Sequence, residues 1–243
     1  MTDPYLSIIL PAHNEAQRLP ETLVKVAQYL AGKDFESEII IVENASVDST
    51  LAIAEEFANR TPNCRVLNLS KAGKGNAVRN GILAARGQYR FIADVDLSMS
   101  IDQVDLFLPP LCDEYDIAIG SREAPGAVRL DEPIYRHLVG RVFNSLVRWL
   151  TLPQLQDTQC GFKCFTAAAA QALFPLQIME GWTFDVEILA IAFKRGYRVV
   201  EVPIRWQYFP HSKIHIFRDS LHMAMDLIAI RRRLHKGEYD QKA

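Results

Sequence analysis

Two aspartates separated by a single residue, Asp94 and Asp96, directly follow an apolar segment that ends at Ala93. Carboxylates at positions i and i+2 just past a buried strand can both reach one divalent cation or a water bound to it. Mg²⁺ and Mn²⁺ prefer oxygen ligands and commonly take one or two carboxylates together with phosphate oxygens of a substrate. The pair therefore predicts a metal site, and the alternative is a simple acidic turn at the end of a strand.

A second segment that could bind a ligand covers residues 71–76, where lysines and glycines alternate at the start of a helical pattern. Backbone N–H groups at a helix start, together with the Lys74 ammonium group, can bind an anion such as a phosphate. The segment matches neither the GxxxxGK[ST] nor the GxGxxG nucleotide-binding pattern. From these residues alone, a helix cap with solvated lysines is an equal alternative.

The elements that must position these residues alternate regularly in the first hundred residues. Strands are predicted over 6–11, 38–42, 65–69 and 89–93, and helices over about 20–30, from about 48, and over 76–86. Continuous apolar strands alternating with helices predict an α/β fold with a mostly parallel central sheet covered on both faces. Such sheets bind ligands at the carboxyl ends of their strands, where the polar segments 12–15, 43–46 and 94–96 lie.

The second half of the chain alternates less regularly. Strands are predicted over 116–120, 161–165 and 197–204, and helices within 130–149 and over 183–194 and 217–235. No internal repeat, low-complexity tract or linker interrupts the pattern. The sequence therefore predicts one domain spanning residues 1–243.

The composition excludes several classes of protein. With 27 basic and 29 acidic residues, a net charge of −2 and 49% hydrophobic residues, the chain is neither disordered nor a general nucleic-acid binder. Its four cysteines, irregularly spaced, fit reduced thiols in the cytosol better than disulfides or a zinc site. The longest uncharged stretch, residues 164–179, is shorter than the roughly 20 residues of a membrane-spanning helix.

Four sequence blocks occur in the order seen in family-2 glycosyltransferases: 9–15, 42–50, 73–77 and 93–96. Later blocks resemble the dolichyl-phosphate β-glucosyltransferase branch, and polyprenyl-phosphate mannose synthases share the earlier ones. These later blocks cover 120–122, 157–163, 182–187, 201–206 and 212–213. The resemblance, which spans roughly residues 5–233, implies the nucleotide-sugar-binding fold called GT-A. It also implies inverting transfer of a hexose from a nucleotide diphosphate sugar to a polyprenyl or dolichyl phosphate.

The resemblance assigns a donor side to residues 1–100, as a nucleotide-binding half. Asp94 and Asp96 would hold Mg²⁺ or Mn²⁺, which as a Lewis acid compensates charge on the departing β-phosphate, so Asp96 counts as catalytic. Lys74 would contact the donor phosphates. The nucleoside would be held at the ends of the first two strands by Pro11, Ala12, Glu15, Glu43 and Asn44.

The acceptor side corresponds to residues 101–216. A phosphate monoester is largely ionised near pH 7, its second pKa being about 6, so it needs positioning and charge compensation more than a general base. Arginine binds phosphate through two parallel hydrogen bonds, although any one of these side chains could instead be part of a solvated helix face. The candidates are Arg122, counted as catalytic, and Arg136, Arg141 and Lys213.

Two further carboxylates fall in blocks that lie near the acceptor in inverting members of the family. Asp157 is expected to align the acceptor or to orient a basic group, and is counted as catalytic. Asp185 is expected to bind substrate. Its alternative role is to cap the helix that it begins, where acidic residues are stabilised.

One pair of residues departs from the family pattern. The family usually has two consecutive aspartates where this chain has Glu43 and Asn44. An asparagine side chain both donates and accepts hydrogen bonds, which complements uracil, whereas the donor edge of guanine favours a carboxylate. UDP-glucose is therefore favoured as donor. The alternatives are a GDP-mannose-dependent synthase, an enzyme with a soluble acceptor, and a non-catalytic nucleotide-sugar-binding regulatory domain.

Residues 217–243 are predicted to form an amphipathic basic helix and tail. The helix ends in three arginines, 231–233, and such a helix can lie on an anionic membrane surface. Alternatively it docks on the core with a solvated basic end. The protein is expected to be cytoplasmic and peripheral on the cytoplasmic membrane face. The apolar positions of the helix are Phe217, Leu221, Ala224, Leu227 and Ile228.

Overall fold

The computed structural model describes residues 3–209 and 216–240. Its strands are β1 (Leu6–Ala12), β2 (Ser37–Asn44), β3 (Cys64–Leu69), β4 (Tyr89–Ile92), β5 (Ile117–Ser121), β6 (Val128–Leu130), β7 (Lys163–Thr166), β8 (Val199–Pro203) and β9 (Arg205–Gln207). Its helices are α1 (Leu19–Ala31), α2 (Thr50–Arg60), α3 (Lys74–Ala84), α4 (Ile134–Leu150), α5 (Ala167–Leu173), α6 (Phe184–Lys194) and α7 (Ile216–Lys236).

Seven strands form one sheet in the order β3-β2-β1-β4-β7-β5-β8. All neighbours run parallel except β7, which is antiparallel to both β4 and β5. Because β4 and β5 are both antiparallel to β7, they run parallel to each other and in the same direction as β1 and β2. The carboxyl ends of β1, β2, β4 and β5 therefore meet at one edge of the sheet. The predicted mostly parallel α/β fold is confirmed.

The sheet is buried on both faces because its strands are apolar at successive positions. Ile9 and Ile92 point into a layer that contains α3 and α6. Ile8 and Phe91 point into the opposite layer, against α1 and the short 3₁₀ helix at 101–107. Because successive side chains of a strand point to opposite faces of the sheet, each strand contributes apolar side chains to both layers.

The structure differs most from the sequence-based prediction after residue 120. A two-stranded parallel ladder, β6 with β9, and the short helix α5 were not predicted. The predicted strand 161–165 is shorter, begins at Lys163, and pairs antiparallel to its neighbours. This strand is too short to show a hydrophobic periodicity in the sequence. Its direction depends on how the chain connects it to the rest of the sheet, which its own residues do not show.

The C-terminal helix α7 docks on the core, which was the alternative to a membrane-bound helix. Met223, Leu227 and Ile230 are buried, and the last two join the cluster beneath α6. The side chains of Phe217 and Leu221 lie outside the described residues. In the ranges that the structure describes, no helix is both long enough and apolar enough to span a bilayer.

Phe91 of β4 is fully buried, so shortening its side chain should destabilise the core. Its ring meets Phe107 and Phe162 edge to face, with centroids 5.2 and 5.0 Å apart. We expect Phe91→Ala to lower the free energy of unfolding by about 3–5 kcal/mol, measured by urea denaturation. The control Leu111→Ala, at a largely exposed residue, should change it by less than about 0.5 kcal/mol. Equal effects of both variants would contradict this description of the core.

Candidate active site

The ends of β1 and β2 are tied together by hydrogen bonds between their loops. The backbone registers place Ala12 opposite Glu43, and the His13 Nδ1 atom lies 2.7 Å from the Asn44 carbonyl oxygen. The backbone N–H of Ser46 donates to Glu43 Oε1 at 2.6 Å. Glu43 thus holds its own loop, and the predicted nucleoside residues of the two strands come together as expected.

Asn44 presents a buried acceptor at this edge. The residue is 5% exposed, and its Oδ1 atom finds no hydrogen-bond partner among the described residues. A buried polar atom without a partner costs about 1–3 kcal/mol, so an unpaired acceptor here calls for a ligand that donates a hydrogen bond.

The other predicted nucleoside residues differ in what they offer. Ala12 is fully buried, and Pro11 is half-buried beside it. Glu15 holds the guanidinium of Arg18 through two hydrogen bonds of 2.7 and 3.0 Å, and its own backbone N–H donates to Thr50 Oγ1. Glu15 therefore fixes the loop that leads into α1.

Lys74 and Asp94 form an ion pair at the centre of the site, with Nζ and Oδ1 2.8 Å apart. The Lys74 ammonium also lies 5.3 Å from the ring centroid of Trp182. Burial opposes its charge, but the carboxylates of Asp94, Asp185 and Asp96 together outweigh that effect and raise the pKa of Lys74. Lys74 is therefore a permanent cation beside the carboxylates.

The glycines around Lys74 serve packing rather than an open phosphate loop. A Cβ on Gly75 would collide with the Met179 carbonyl oxygen, and one on Gly73 would lie 2.7 Å from that of Glu180. The backbone N–H of Asn76 donates to the Glu180 carbonyl at 3.2 Å. This amide at the start of α3 is therefore used internally, and the Lys74 side chain adds a positive charge at the same place.

Asp94 and Asp96 lie past the end of β4, as the sequence predicted. Burial, and next the charge of Asp94, raise the pKa of Asp96, although the backbone N–H of Ser98 donates to Asp96 Oδ1 at 3.0 Å. Asp94 Oδ2 packs so closely on Gly161 that a Cβ at that position would overlap it. A side chain at position 161 would therefore force Asp94 to move, a contact that sequence reasoning did not find.

These two carboxylates fit a divalent cation. Within the described ranges, no three His, Cys, Asp or Glu side chains form a complete protein metal site. Mg²⁺ and Mn²⁺ do not require one, because phosphate oxygens and waters fill the remaining positions. A cation would also relieve the repulsion from Asp94, which adds to burial in raising the pKa of Asp96.

Asp185 lies in the first turn of α6 and pairs with a buried lysine rather than capping the helix. Its Oδ1 is 2.7 Å from Lys163 Nζ, and both side chains are nearly inaccessible to solvent. Burial raises the pKa of Asp185 even though Lys163 and Lys74 oppose that shift. Lys163 was missed in the sequence analysis, where the only signal was a charged residue inside an apolar strand.

Asp157 and Arg122 form a buried ion pair at the end of β5. Arg122 donates three hydrogen bonds to the carboxylate: from Nε at 2.7 Å, Nη2 at 2.9 Å and its backbone N–H at 3.0 Å. Burial alone would raise the pKa of Asp157, but Arg122 lowers it to about 2. Glu201 on β8 accepts from the Asp157 backbone N–H at 3.0 Å, and Trp206 lies 5.6 Å from the Arg122 guanidinium.

The predicted acceptor arginines are therefore held by carboxylates. Arg141 Nη1 lies 2.9 Å from Glu123, which also pairs with Arg129 at 2.6 Å. The side chain of Arg136 and the whole of Lys213 lie outside the described residues. Sequence reasoning did not find Arg129, Trp206 or Glu201, because their roles depend on strands that are far apart in the chain.

The sequence model of "Glycosyl transferase family 2" matches residues 7–173. The chain belongs to this family of glycosyltransferases, and the regulatory, non-catalytic alternative is set aside. Similar proteins include the dolichyl-phosphate β-glucosyltransferases of Dictyostelium discoideum and Drosophila melanogaster, 34% and 36% identical. These matches cover 98% and 93% of this chain and 77% and 74% of those proteins. The human dolichyl-phosphate β-glucosyltransferase is 33% identical over 96% of this chain and 77% of its own.

Solved structures with the same fold include glucosyl-3-phosphoglycerate synthase from Mycobacterium tuberculosis in complex with UDP. It superposes with a TM-score of 0.66 at 20% identity, over 94% of this chain and 79% of that one. The same enzyme with Mn²⁺, UDP and glucosyl-3-phosphoglycerate gives a TM-score of 0.66 over 93% and 78%. The predicted GT-A fold is thereby confirmed.

The Asp157–Arg122 pair makes stability depend on pH. The pKa of Asp157 is about 2 in the folded protein and about 3.9 when unfolded, so its contribution is complete above pH about 4 and is lost as the pH falls towards 2. We expect Asp157→Asn to lower the free energy of unfolding at neutral pH by about 2–3 kcal/mol, because the half-buried Arg122 side chain, 24% exposed, loses its carboxylate partner.

The difference between wild type and Asp157→Asn should shrink below pH about 4, as measured by urea denaturation across a pH series. The control Asp240→Asn removes a more exposed partner, that of Lys194, and should cost less than about 1 kcal/mol. A gap that stays constant throughout the acid range would contradict the assigned shift.

Proposed function

We propose that this glycosyltransferase transfers glucose from UDP-glucose to a polyprenyl phosphate such as dolichyl phosphate, with inversion at the anomeric carbon and with a divalent cation. One observation carries the proposal: similarity to dolichyl-phosphate β-glucosyltransferases, at 33–36% identity, extends over 93–98% of the chain. Residues 1–100 serve as the donor half and 101–216 as the acceptor half.

On the donor side, the ends of β1 and β2 bind the nucleoside, with Pro11, Glu15 and Glu43 shaping the loops. Asn44 Oδ1 accepts from the uracil N–H, which supplies the partner that this buried atom lacks. The Lys74 ammonium group faces the donor phosphates from α3. Its cationic state is secured by the surrounding carboxylates.

Asp94 and Asp96 would hold Mg²⁺ or Mn²⁺. When bound, the cation supplies Lewis-acid compensation of the charge that develops on the β-phosphate. The Lys74 ammonium group, which pairs with Asp94, contributes a positive charge as well. Both the metal ion and the Lys74 ammonium group are needed, because the leaving nucleoside diphosphate is strongly negative.

On the acceptor side, a phosphate oxygen of the lipid forms a bond to the anomeric carbon while the bond to the donor β-phosphate oxygen breaks. UDP leaves with the electron pair, and no proton has to move because the acceptor is already ionised. Asp157 holds Arg122 in one orientation, so that its remaining N–H groups and those of Arg141 compensate the acceptor charge. Asp185, held by Lys163, lies between the two sides and positions the substrates.

The donor and the metal are tested together by calorimetry with UDP-glucose and GDP-mannose, each with and without Mn²⁺, and by glucose transfer to a polyprenyl phosphate. We expect metal-dependent binding of UDP-glucose. Asp96→Asn should lower turnover by at least about a hundredfold while UDP binding persists, because several kcal/mol of charge compensation are lost. The control Asp102→Asn, a carboxylate outside the site, should leave turnover unchanged. Preference for GDP-mannose, or transfer only to a soluble phosphate ester, would overturn the proposal.

The base specificity assigned to Asn44 is tested by competition between UDP and GDP. Asn44→Asp should weaken UDP binding by about tenfold, because the charge of a carboxylate is costly to bury and a carboxylate lacks the amide N–H that would donate to a uracil carbonyl. The control Asn63→Asp lies at an exposed turn and should not alter UDP affinity. Tighter binding of GDP than of UDP by the wild type would refute the role of Asn44.

A further inference from the structure

Helix α4 has two apolar faces, and the residues that the structure describes cover one of them and leave the other exposed. The inner face packs Phe143, Leu146, Val147 and Leu150 into the core cluster that also contains Leu227 and Ile230 of α7. Spacings of three and four residues place these side chains on one side of the helix.

A second apolar row runs along the outside of α4. Leu138, Val142 and Trp149 follow one another at four- and seven-residue intervals, and they are 64%, 66% and 77% exposed. Ile134 and Tyr135 extend the row to the first turn and are exposed as well. We call these five residues the outer row of α4. Large apolar side chains clustered in this way on a surface mark an interaction site.

The charges of α4 indicate what covers the outer row. The helix contains no aspartate or glutamate, and its charged residues are all arginines. Arg141 and the exposed Arg148 lie beside the row, where a long side chain can reach the headgroups of anionic lipids. Tyr135 and Trp149 stand near its two ends, and aromatic rings of this kind favour the interface between lipid and water.

The outer row is also joined to the acceptor side of the site. Arg141 on α4 pairs with Glu123, which follows Arg122 directly in the chain. Glu123 holds Arg129 as well, and Arg129 Nε donates to the Arg122 carbonyl oxygen at 3.3 Å. A surface that carries the acceptor would therefore lie next to the group proposed to receive the acceptor phosphate.

We infer that the outer row of α4 binds the surface of a lipid bilayer that contains anionic lipids. This inference rests on the proposed function in that the acceptor is a lipid. It moves the expected membrane contact from α7, whose apolar side is docked on the core, to α4. The protein binds with α4 in the plane of the interface, its outer row among the upper acyl chains and its arginines at the headgroups.

The test is co-sedimentation of the full chain with vesicles of phosphatidylcholine and phosphatidylglycerol, and with vesicles of phosphatidylcholine alone. The triple variant Leu138→Ser, Val142→Ser, Trp149→Ser should partition at least about tenfold more weakly, because three exposed apolar side chains no longer enter the bilayer. Its urea denaturation should match that of the wild type, since none of the three is buried. Arg148→Ser should weaken binding several-fold to the anionic vesicles only.

The matched control is a second triple variant, Leu111→Ser, Met225→Ser, Ile228→Ser, which removes exposed apolar residues outside α4, two of them on α7. It should bind vesicles as the wild type does. Equal loss in both triple variants, or loss only in the control, would overturn the inference. So would a wild-type dimer in light scattering that the α4 variant converts to a monomer, because the outer row would then bind a second copy.

Activity on a short-chain prenyl phosphate in solution separates this inference from the proposed function. The α4 variant should retain glucose transfer to that acceptor and lose transfer to a long-chain acceptor in vesicles. If the wild type binds vesicles but transfers glucose to neither acceptor, the proposed function fails and the docking surface stands. If it transfers glucose to the soluble acceptor without binding vesicles, the docking surface fails.

Discussion

The site depends on the compensation of carboxylates that the sheet brings to one edge. Asp94 and Asp96 follow β4, Asp185 lies in the first turn of α6, and Asp157 lies in the loop before β7. Like charges held at short range raise the free energy of the fold. Three buried or half-buried cations offset this: Lys74 for Asp94, Lys163 for Asp185 and Arg122 for Asp157. Removing any one cation would leave a carboxylate without a partner in a poorly solvated place.

The antiparallel strand β7 makes this arrangement possible. Inserted between β4 and β5, it carries Lys163 to Asp185, and the turn before it brings Gly161 against Asp94. The segment from 177 to 180 then closes over the start of α3, where Gln177 Nε2 donates to the Gly75 carbonyl at 2.8 Å. Donor and acceptor sides are thus joined through one strand and one loop.

The helices α6, α7 and α4, which surround the sheet, have different roles. Glu187 of α6 accepts hydrogen bonds from the backbone N–H groups of Ile178 and Met179 and from the buried Tyr239 hydroxyl, so the C-terminal segment after α7 supports the loop over Lys74. The α7 helix is consequently a structural element. The α4 helix, by contrast, keeps its outer row exposed within the described part of the chain, near the end of β5 where the acceptor is proposed to bind.

By itself, the sequence determined the strand–helix alternation and the location of Asp94, Asp96, Glu43 and Asn44 at strand ends. Both depend on local apolar runs and on polar residues that directly follow them. Only the tertiary structure decided that Lys163 pairs with Asp185, that Arg122 is held by Asp157, that Gly161 makes room for Asp94, and which amphipathic helix is buried. Each of these depends on contacts between distant segments, and the direction and order of the strands, which local periodicity does not encode, determine which segments meet.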